Sequence, residues 1–181
     1  MPLTLHSERL RLTALHKNDL ENVHRLHSIP EVDAYNTLGI PEDLEATKRI
    51  VESWLQDLEV APIQNHTLAI TLNGTDTFIG LFGMKLGSRK FGRAEVWYKL
   101  LPEFWGKGYA TEALRSMIAY GFDTLDLHRI EAGCAVENIG SIKVLEKVGM
   151  TREGRCRQIL PLKTGWADNF SFAILDSDPR P

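Results

Sequence analysis

The sequence predicts a mixed α/β fold in which one sheet carries helices on both faces. Two amphipathic segments precede three strand-like segments, strands and helices then alternate, and the chain closes on a hairpin. The strongest helical periodicity lies at about residues 110–125. The apolar run Arg129–Val136 follows it and is typical of a strand that is buried on both faces.

Local signals mark the elements before the sheet. Leu5–Leu12 alternates and predicts a first strand. Asn18 or Asp19 can cap a short helix, which stops at Ile29-Pro30 because a residue before proline avoids the helical region. A second helix is predicted after Pro41, where apolar residues recur on one stripe.

Turn residues delimit the remaining elements. Asn73-Gly74 is a hairpin signal, Gly149 is a natural left-handed residue at a helix end, and a turn is expected near Lys163-Thr164-Gly165. The predicted elements are strands at His66–Leu72, Thr77–Lys85 and Ala94–Leu101, a helix at about Ile139–Val148, and strands at Met150–Leu160 and Trp166–Leu175.

The composition predicts one domain over residues 1–181, with a core at about 5–175. Of the 181 residues, 43% are hydrophobic and 25% are charged, so a packed core is expected. The formal net charge of −3 argues against a partner such as nucleic acid or an anionic membrane. No membrane span or signal peptide is recognised, and Cys134 and Cys156 lie far apart. We therefore expect a soluble, cytoplasmic protein.

One segment joins a predicted strand to the most periodic helix: Trp105-Gly106-Lys107-Gly108-Tyr109-Ala110-Thr111. Amides in the first helical turn lack intrahelical acceptors, and the helix dipole places partial positive charge there. Two glycines let an anion approach the backbone closely, so the segment is a plausible pyrophosphate cradle. By spacing alone, a Gly-x-Gly before a helix is more often only a tight turn.

The chain resembles the GNAT acetyltransferase superfamily, most densely between Ala94 and Gly154. That part reads AEVWYKLLPEFWGKGYATEALRSMIAYGFDTLDLHRIEAGCAVENIGSIKVLEKVGMTREG. The opening SERLRLTALHKNDLENVHRLHS resembles the RimJ/RimL-like branch, whose members acetylate N-termini of ribosomal proteins, and the likeness covers about Leu5–Leu175. It implies a mostly antiparallel sheet of six to seven strands, splayed at its central parallel pair, and an N-acetyltransferase that uses acetyl-CoA and no metal.

The resemblance implies that Trp105-x-x-Gly108-x-Ala110 is the acetyl-CoA pyrophosphate loop, which the family reads as Arg/Gln-x-x-Gly-x-Gly/Ala. Trp105 departs from the polar residue at the first position. The backbone amides of Gly106–Thr111, which include those of Tyr109 and Ala110, would make the phosphate contacts. Lys107 could add charge or be a solvated surface lysine.

The resemblance also implies where the pantetheine arm lies. It would pair with strand backbone near Tyr98, Leu100 and Leu101, as an added strand does. A backbone N–H there would polarise the thioester carbonyl. Asn138 matches the family asparagine that contacts the cofactor arm, and its role as a helix N-cap is compatible with that contact.

The implied reaction is direct transfer of acetyl to a primary amine, which must first lose a proton. Glu95 is the best candidate for the base, through water, and a structural salt bridge is the alternative. Strand alternation puts Glu95 on the face of Trp97 and Lys99 unless a bulge intervenes. Glu131 and Asp168 are weaker candidates.

Ser141 resembles the serine that serves the leaving thiolate in the Rim branch, where many GNAT enzymes use a tyrosine. Its alternative role is a first-turn hydroxyl that satisfies backbone groups. Both roles place it at the start of the predicted helix after Arg129–Val136.

The acceptor side departs from the family pattern. Trp97 and Lys99 stand where related sequences commonly carry glycine and tryptophan, so the acceptor site should be narrowed or reshaped. Trp166 could wall that site, and Asp168 resembles a tail motif near it. The acceptor amine is left open between a protein N-terminus and a polyamine, amino acid or antibiotic. A catalytically silent acyl-CoA-binding module is a further alternative.

Other constellations carry no chemistry. His24 and His27 lie at helical spacing without a cysteine or carboxylate partner, so we interpret both as helix surface rather than metal ligands. Cys134 lies in an apolar run and is interpreted as a core residue. Relatives are often dimers, so the resemblance allows a homodimer.

Overall fold

A computed structural model describes residues 3–180. Over these residues the chain forms one eight-stranded sheet in the order β1-β2-β3-β4-β5-β6-β8-β7. The strands are β1 (Thr4–His6), β2 (Leu10–Ala14), β3 (Asn65–Leu72), β4 (Phe78–Leu86), β5 (Arg93–Leu100), β6 (Arg129–Ala135), β7 (Thr151–Leu162) and β8 (Gly165–Leu175). The helices are α1 (Leu20–His27), α2 (Pro30–Asp33), α3 (Leu44–Glu59), α4 (Tyr109–Asp123) and α5 (Ile139–Lys147).

The sheet splits between β5 and β6, the only parallel neighbours in the described part of the chain. These strands pair over just three positions, Arg93–Glu95 beside Arg129–Glu131. β5 then continues to Leu100 and β6 to Ala135, but the two strands do not pair with each other beyond these positions. The predicted splay at a central parallel pair is therefore confirmed, and we call the opening beyond Glu95 the fork.

The two faces of the sheet carry separate hydrophobic clusters. The first contains α4 and α5 packed on the face of Ala94, Val96 and Leu100. The second contains α1 and α3 packed on the opposite face, against Leu81 and Leu101. The predicted mixed α/β fold, with helices on both faces, is confirmed.

The strand count is corrected from six or seven to eight, because the predicted strand Leu5–Leu12 is a hairpin. The Leu10 N–H donates to Ser7 Oγ at 3.2 Å, and this bond closes the turn between β1 and β2. Pro30 also begins a helix instead of only stopping one, because proline suits the first helical position.

Strand β6 is not buried on both faces as predicted. Arg129 and Glu131 are half-buried, and their side chains form an ion pair at 2.7 Å. A second guanidinium, that of Arg93, lies 3.8 Å from Glu131. This polar network covers one side of the strand, whereas Ile130 and Ala132 are buried on the other.

The indole of Trp97 fits on β5 because glycine faces it on β4. Gly83 is its cross-strand partner, and a Cβ built there would lie 2.0 Å from the Trp97 ring. Trp97 also contacts Trp54 of α3, with ring centroids 5.8 Å apart. Related sequences commonly carry glycine at the position of Trp97. In this chain the glycine is on β4 instead, at position 83, where it leaves room for the indole.

We expect Gly83→Ala to lower the free energy of unfolding by about 2 kcal/mol, because the new methyl group displaces a packed indole. The corresponding fall in Tm is about 4–8 °C for a domain of this size. Thermal denaturation followed by circular dichroism measures it, with Gly154→Ala as control, since a Cβ there meets no atom within 4 Å. The double variant Gly83→Ala with Trp97→Ala should lose less stability than the sum of the two single variants, because the methyl group no longer displaces an indole. An additive loss would contradict the contact.

None of the helices described is both long and apolar enough to cross a membrane.

Candidate active site

The backbone of β5 offers unpaired groups to the fork. The Leu101 N–H donates to the Ile79 carbonyl of β4 at 2.9 Å. Since backbone groups of successive strand residues alternate in direction, those of Leu100 and Tyr98 face away from β4 and into the fork. Leu101 was predicted to face the cofactor, but its amide is taken by Ile79 and its side chain is fully buried. Tyr98 and Leu100 therefore supply the backbone groups that an added strand could pair with.

The side chain of Trp105 closes the end of β5. Its indole Nε1 donates to the Leu100 carbonyl at 2.8 Å, although half of the side chain is exposed. That bond occupies the fork-facing carbonyl of Leu100. The residue that departs from the family motif thus anchors the loop through a neutral N–H rather than through a charge.

Two hydroxyl groups meet on the α5 side of the fork. Tyr98 Oη lies 2.9 Å from Ser141 Oγ, so β5 is joined to the helix that follows β6. Asn138 caps that helix by accepting the Ser141 N–H at 3.1 Å. Burial raises the pKa of Tyr98 above its ordinary value, so the phenol remains a proton donor at neutral pH. The sequence analysis used only the backbone of Tyr98, although strand alternation already placed its side chain on this face.

The glycine-rich segment forms a left-handed turn before α4. Gly106 and Gly108 have φ values of +71° and +82°, which favour glycine. The Glu112 N–H closes the first helical bond onto the Gly108 carbonyl at 3.0 Å. The amides of Tyr109, Ala110 and Thr111 precede that bond, so they are the donors that a first helical turn leaves for an anion. Lys107 is exposed, with Nζ 5.6 Å from the Phe104 ring centroid.

Arg9, which the sequence analysis missed, holds this loop from the β1–β2 turn. Its guanidinium pairs with Glu112 at 2.7 Å and donates to the Lys107 carbonyl at 3.0 Å. It also lies over the Tyr109 ring, 4.6 Å from the centroid. A contact across 98 residues of sequence leaves no local signal, so only the folded chain identifies Arg9.

The opposite face of β5 carries Glu95, Trp97 and Lys99, and the strand pairs with β4 without a bulge. Glu95 is exposed and forms no ion pair within residues 3–180, so the alternative of a structural salt bridge is not observed. It borders a cavity of about 290 Å³ that Trp54 and Trp97 also line. The carboxylate is therefore accessible at the level where the strands part.

The two weaker candidates for a base are engaged elsewhere. Glu131 pairs with Arg129 and Arg93, as described above. Asp168 accepts the Gln158 N–H at 2.8 Å and pairs with Arg155 at 2.7 Å, and these two hydrogen bonds lower the pKa of its carboxyl. Asp168 thus stabilises the irregular stretch of β7 between Cys156 and Leu160, which we call the β7 bulge. Trp166 is 67% exposed beside the hairpin turn and does not line the cavity at Glu95.

Cys134 and the two histidines carry no reactive chemistry. Burial raises the pKa of the Cys134 thiol to about 11, so it stays protonated. His24 Nδ1 lies 2.7 Å from Thr47 Oγ1. His27 is buried and not on the helix surface as predicted, because the second cluster covers its side of α1. Residues 3–180 contain no group of three His, Cys, Asp or Glu that could hold a metal ion.

Lys99 is a half-buried ammonium group on the face of β5 that also carries Glu95 and Trp97. Burial lowers its pKa to about 8, whereas the carboxylate of Asp33 opposes that shift. No acid of residues 3–180 lies within 4 Å of its Nζ. The other titratable groups that act on this region are His27, with a pKa lowered to about 3 by burial, and His24 beside it.

We expect Lys99→Met to raise the free energy of unfolding at pH 7. The pKa of Lys99 is lower in the folded chain than in the unfolded one, so its destabilising effect is complete below pH 8 and fades as the pH rises toward 10.5. Urea denaturation at pH 7, 8, 9 and 10 should show the advantage of the variant shrinking across this range. Lys143→Met, at an exposed position, is the control, and a gap that does not change with pH would contradict the assignment.

The sequence of the chain matches the model of a known protein family. The model of the Acetyltransferase (GNAT) domain matches residues 9–151, which include the fork, the glycine-rich loop and α5. The chain belongs to the GNAT acetyltransferase family. It is therefore an acyltransferase of the N-acetyltransferase type, and the motif resemblance noted above is confirmed.

Individual relatives of this GNAT protein are similar over nearly its whole length. The uncharacterized N-acetyltransferase p20 of Bacillus licheniformis is 34% identical over 172 residues, which span 95% of this chain and 96% of that one. A GNAT-family acetyltransferase from Bacillus anthracis is 30% identical, with a TM-score of 0.83 over 96% of this chain and 99% of that one.

Other structural neighbours share the fold at lower identity. Spermidine N-acetyltransferase from Vibrio cholerae, solved with CoA and spermine, is 23% identical, with a TM-score of 0.83 over 94% of this chain and 98% of that one. The putative ribosomal N-acetyltransferase YdaF of Bacillus subtilis is 42% identical over 83 residues, which span 46% of this chain and 45% of that one.

Proposed function

We propose that this GNAT protein transfers acetyl from acetyl-CoA to a primary amine by direct attack in the fork, without an acyl-enzyme. The observation that carries the proposal is the arrangement on β5 where the sheet parts. The Tyr98–Ser141 hydroxyl pair lies on one face of the strand, and the accessible Glu95 carboxylate lies on the other. A proton can therefore be removed on one side and supplied on the other.

The donor fits the groups that the fork presents. The free amides of Tyr109, Ala110 and Thr111 would hold the pyrophosphate at the positive end of α4. The Tyr98 backbone would pair with the pantetheine arm, and its N–H would polarise the thioester carbonyl. Asn138 keeps α5 in place through its cap, whereas Lys107 lies at the exposed rim of the loop.

Each proton moved in the proposed reaction has a donor or an acceptor among the residues described above. Glu95 takes a proton from the acceptor ammonium through water, and the free amine attacks the carbonyl carbon. The carbon–sulfur bond breaks as the C–N bond forms. The sulfur takes a proton from the Tyr98–Ser141 pair, which is replenished by the amine's second proton or by solvent. The products are an amide and CoA.

We propose that the acceptor is an α-amine, as on the N-terminus of a protein or peptide, rather than a polyamine. Deprotonation at pH 7 costs about 1 kcal/mol for an α-amino group and about 4.6 kcal/mol for a lysine-type amine. A lone carboxylate that acts through water is suited to the smaller cost. The relative with bound spermine favours the polyamine alternative.

Release of CoA thiol from acetyl-CoA tests this proposal. The acceptors are peptides with free N-termini, the same peptides with blocked N-termini, spermidine and an aminoglycoside. We expect turnover that depends on the free α-amine. Turnover confined to spermidine or the aminoglycoside would overturn the choice of acceptor, and CoA binding without any turnover would favour a silent acyl-CoA-binding module.

A further inference from the structure

A groove separates the chain after α2 from the hairpin of β7 and β8. Its volume is about 350 Å³. Residues 33–40 form one wall and residues 161–163 form the other. The polar side chains that line it are Asp33, Asn36, Thr37 and Lys163.

The carboxylate of Asp33 lacks a partner in this groove. Asp33 is only 7% exposed, and its buried Oδ1 accepts no hydrogen bond. Among residues 3–180, no Lys, Arg or His nitrogen lies within 4 Å of it. An unpaired buried carboxylate is costly, and a cation in the groove would remove that cost. The mechanism described above makes no use of this group.

The groove is related to β5 through Lys99. The carboxylate of Asp33 favours the charged form of Lys99, and no ion pair joins the two side chains. Lys99 lies on the same face of β5 as Glu95, the proposed base, because the strand pairs with β4 without a bulge. An amine held at Asp33 therefore approaches β5 from the face of that base.

Charge changes sign along the groove. Asp33 is negative at the buried end, and Lys163 is positive on the hairpin wall. Asn36 and Thr37, which line the same groove, are neutral and can exchange hydrogen bonds with amide groups. An acceptor with one cationic end and a neutral or acidic remainder matches this order. A polyamine, which is cationic at both ends, is opposed at Lys163.

We propose that Asp33 binds the acceptor as its ammonium form, and that Asp33 and Lys163 together select acceptors with a single cationic end, such as a peptide with a free N-terminus. This inference rests on the proposed function, because it takes the bound amine to be the acceptor of the acetyl group. Binding of the amine can nevertheless be measured without turnover.

Calorimetric titration of the CoA-bound protein tests the site. The probes are an Ala-Ala-Glu peptide with a free N-terminus, its N-acetylated form and spermidine. The variant is Asp33→Asn, and the control is Glu31→Gln, which removes an exposed carboxylate from the same short helix. We expect Asp33→Asn to weaken binding of the free peptide about 10-fold, as loss of a charged hydrogen bond does, and Glu31→Gln to have no effect. Lys163→Glu should improve the binding of spermidine relative to that of the peptide.

The outcomes separate this site from the proposed reaction. Equal binding by wild type and Asp33→Asn, or no binding of the free peptide by wild type, would overturn the assignment of Asp33. Binding that depends on Asp33 without thiol release would leave the site standing and reject the proposed reaction. In active protein, Asp33→Asn should raise the KM for the peptide and leave the KM for acetyl-CoA unchanged. Asp33→Asn removes both the cost of the unpaired carboxylate and its attraction to Lys99, so the Tm should change little. A large loss of stability would indicate a structural role instead.

Discussion

Gly108→Val should weaken acetyl-CoA binding by about 100-fold or more, which corresponds to about 2.7 kcal/mol. Gly108 has a φ of +82° and is the residue from which α4 begins. A β-branched residue costs about 1–2 kcal/mol in that conformation, so the turn will shift. The shift turns the three free amides of α4 away from a bound phosphate, and the new side chain covers their approach. Isothermal titration with CoA measures the loss.

The control for Gly108→Val is Gly154→Val, which adds the same side chain at an exposed strand position without a positive φ. Circular dichroism and the Tm establish that both variants are folded. Unchanged CoA affinity in a folded Gly108→Val protein would show that the pyrophosphate is held elsewhere. A loss of the same size in Gly154→Val would show that the effect is not specific to the loop.

The sequence predicts the parts of the site that depend on local patterns. The period of β5 places Glu95, Trp97 and Lys99 on one face, and the regular pairing with β4 confirms that placement. The glycines before α4 predict a tight turn, and both adopt positive φ values in it. These features are local because strand alternation and backbone sterics act within a few residues.

Contacts between distant segments could not be predicted in this way. Arg9 reaches the loop from a hairpin near the start of the chain, and that hairpin itself was predicted as one strand. Gly83 makes room for Trp97 from the neighbouring strand, so the substitution on β5 is explained only by its cross-strand partner. Such pairs carry no single-sequence signal, since each residue is unexceptional in its own segment.

Buried polar groups show the same limit. Helical spacing gave His27 as surface, but the packing of α1 against α3 buries it, with its ring 5.8 Å from that of Trp54. Asp33 ends a four-residue helix that no periodicity could reveal. Asp168 matched a tail motif, yet the bulge in β7 gives it two structural partners. Burial depends on what packs over a residue, and that is decided by the whole fold.

The double substitution Tyr98→Phe with Ser141→Ala should lower kcat about 100-fold and change the KM for acetyl-CoA little. The leaving thiolate needs a proton, and a positioned acid typically contributes about 10²–10⁴-fold. The two hydroxyls lie 2.9 Å apart, so either one can serve when the other is absent. We therefore expect each single variant to lose only about 10-fold, less than the full contribution of a positioned acid. Tyr98→Phe keeps the backbone groups that face the fork, and steady-state kinetics with the best acceptor measures the effect.

Matched controls separate this role from packing. Tyr120→Phe removes a phenol from α4, and Ser116→Ala removes a hydroxyl that donates to the Glu112 carbonyl. Neither side chain lies at the fork, so both variants should keep the wild-type kcat. If kcat is unchanged in the double variant while the KM for acetyl-CoA rises, the hydroxyl pair only shapes the site. Only a hydroxyl at the fork can supply a proton to the sulfur. An equally large fall in kcat in Tyr120→Phe, whose hydroxyl lies elsewhere, would therefore indicate a loss of structure.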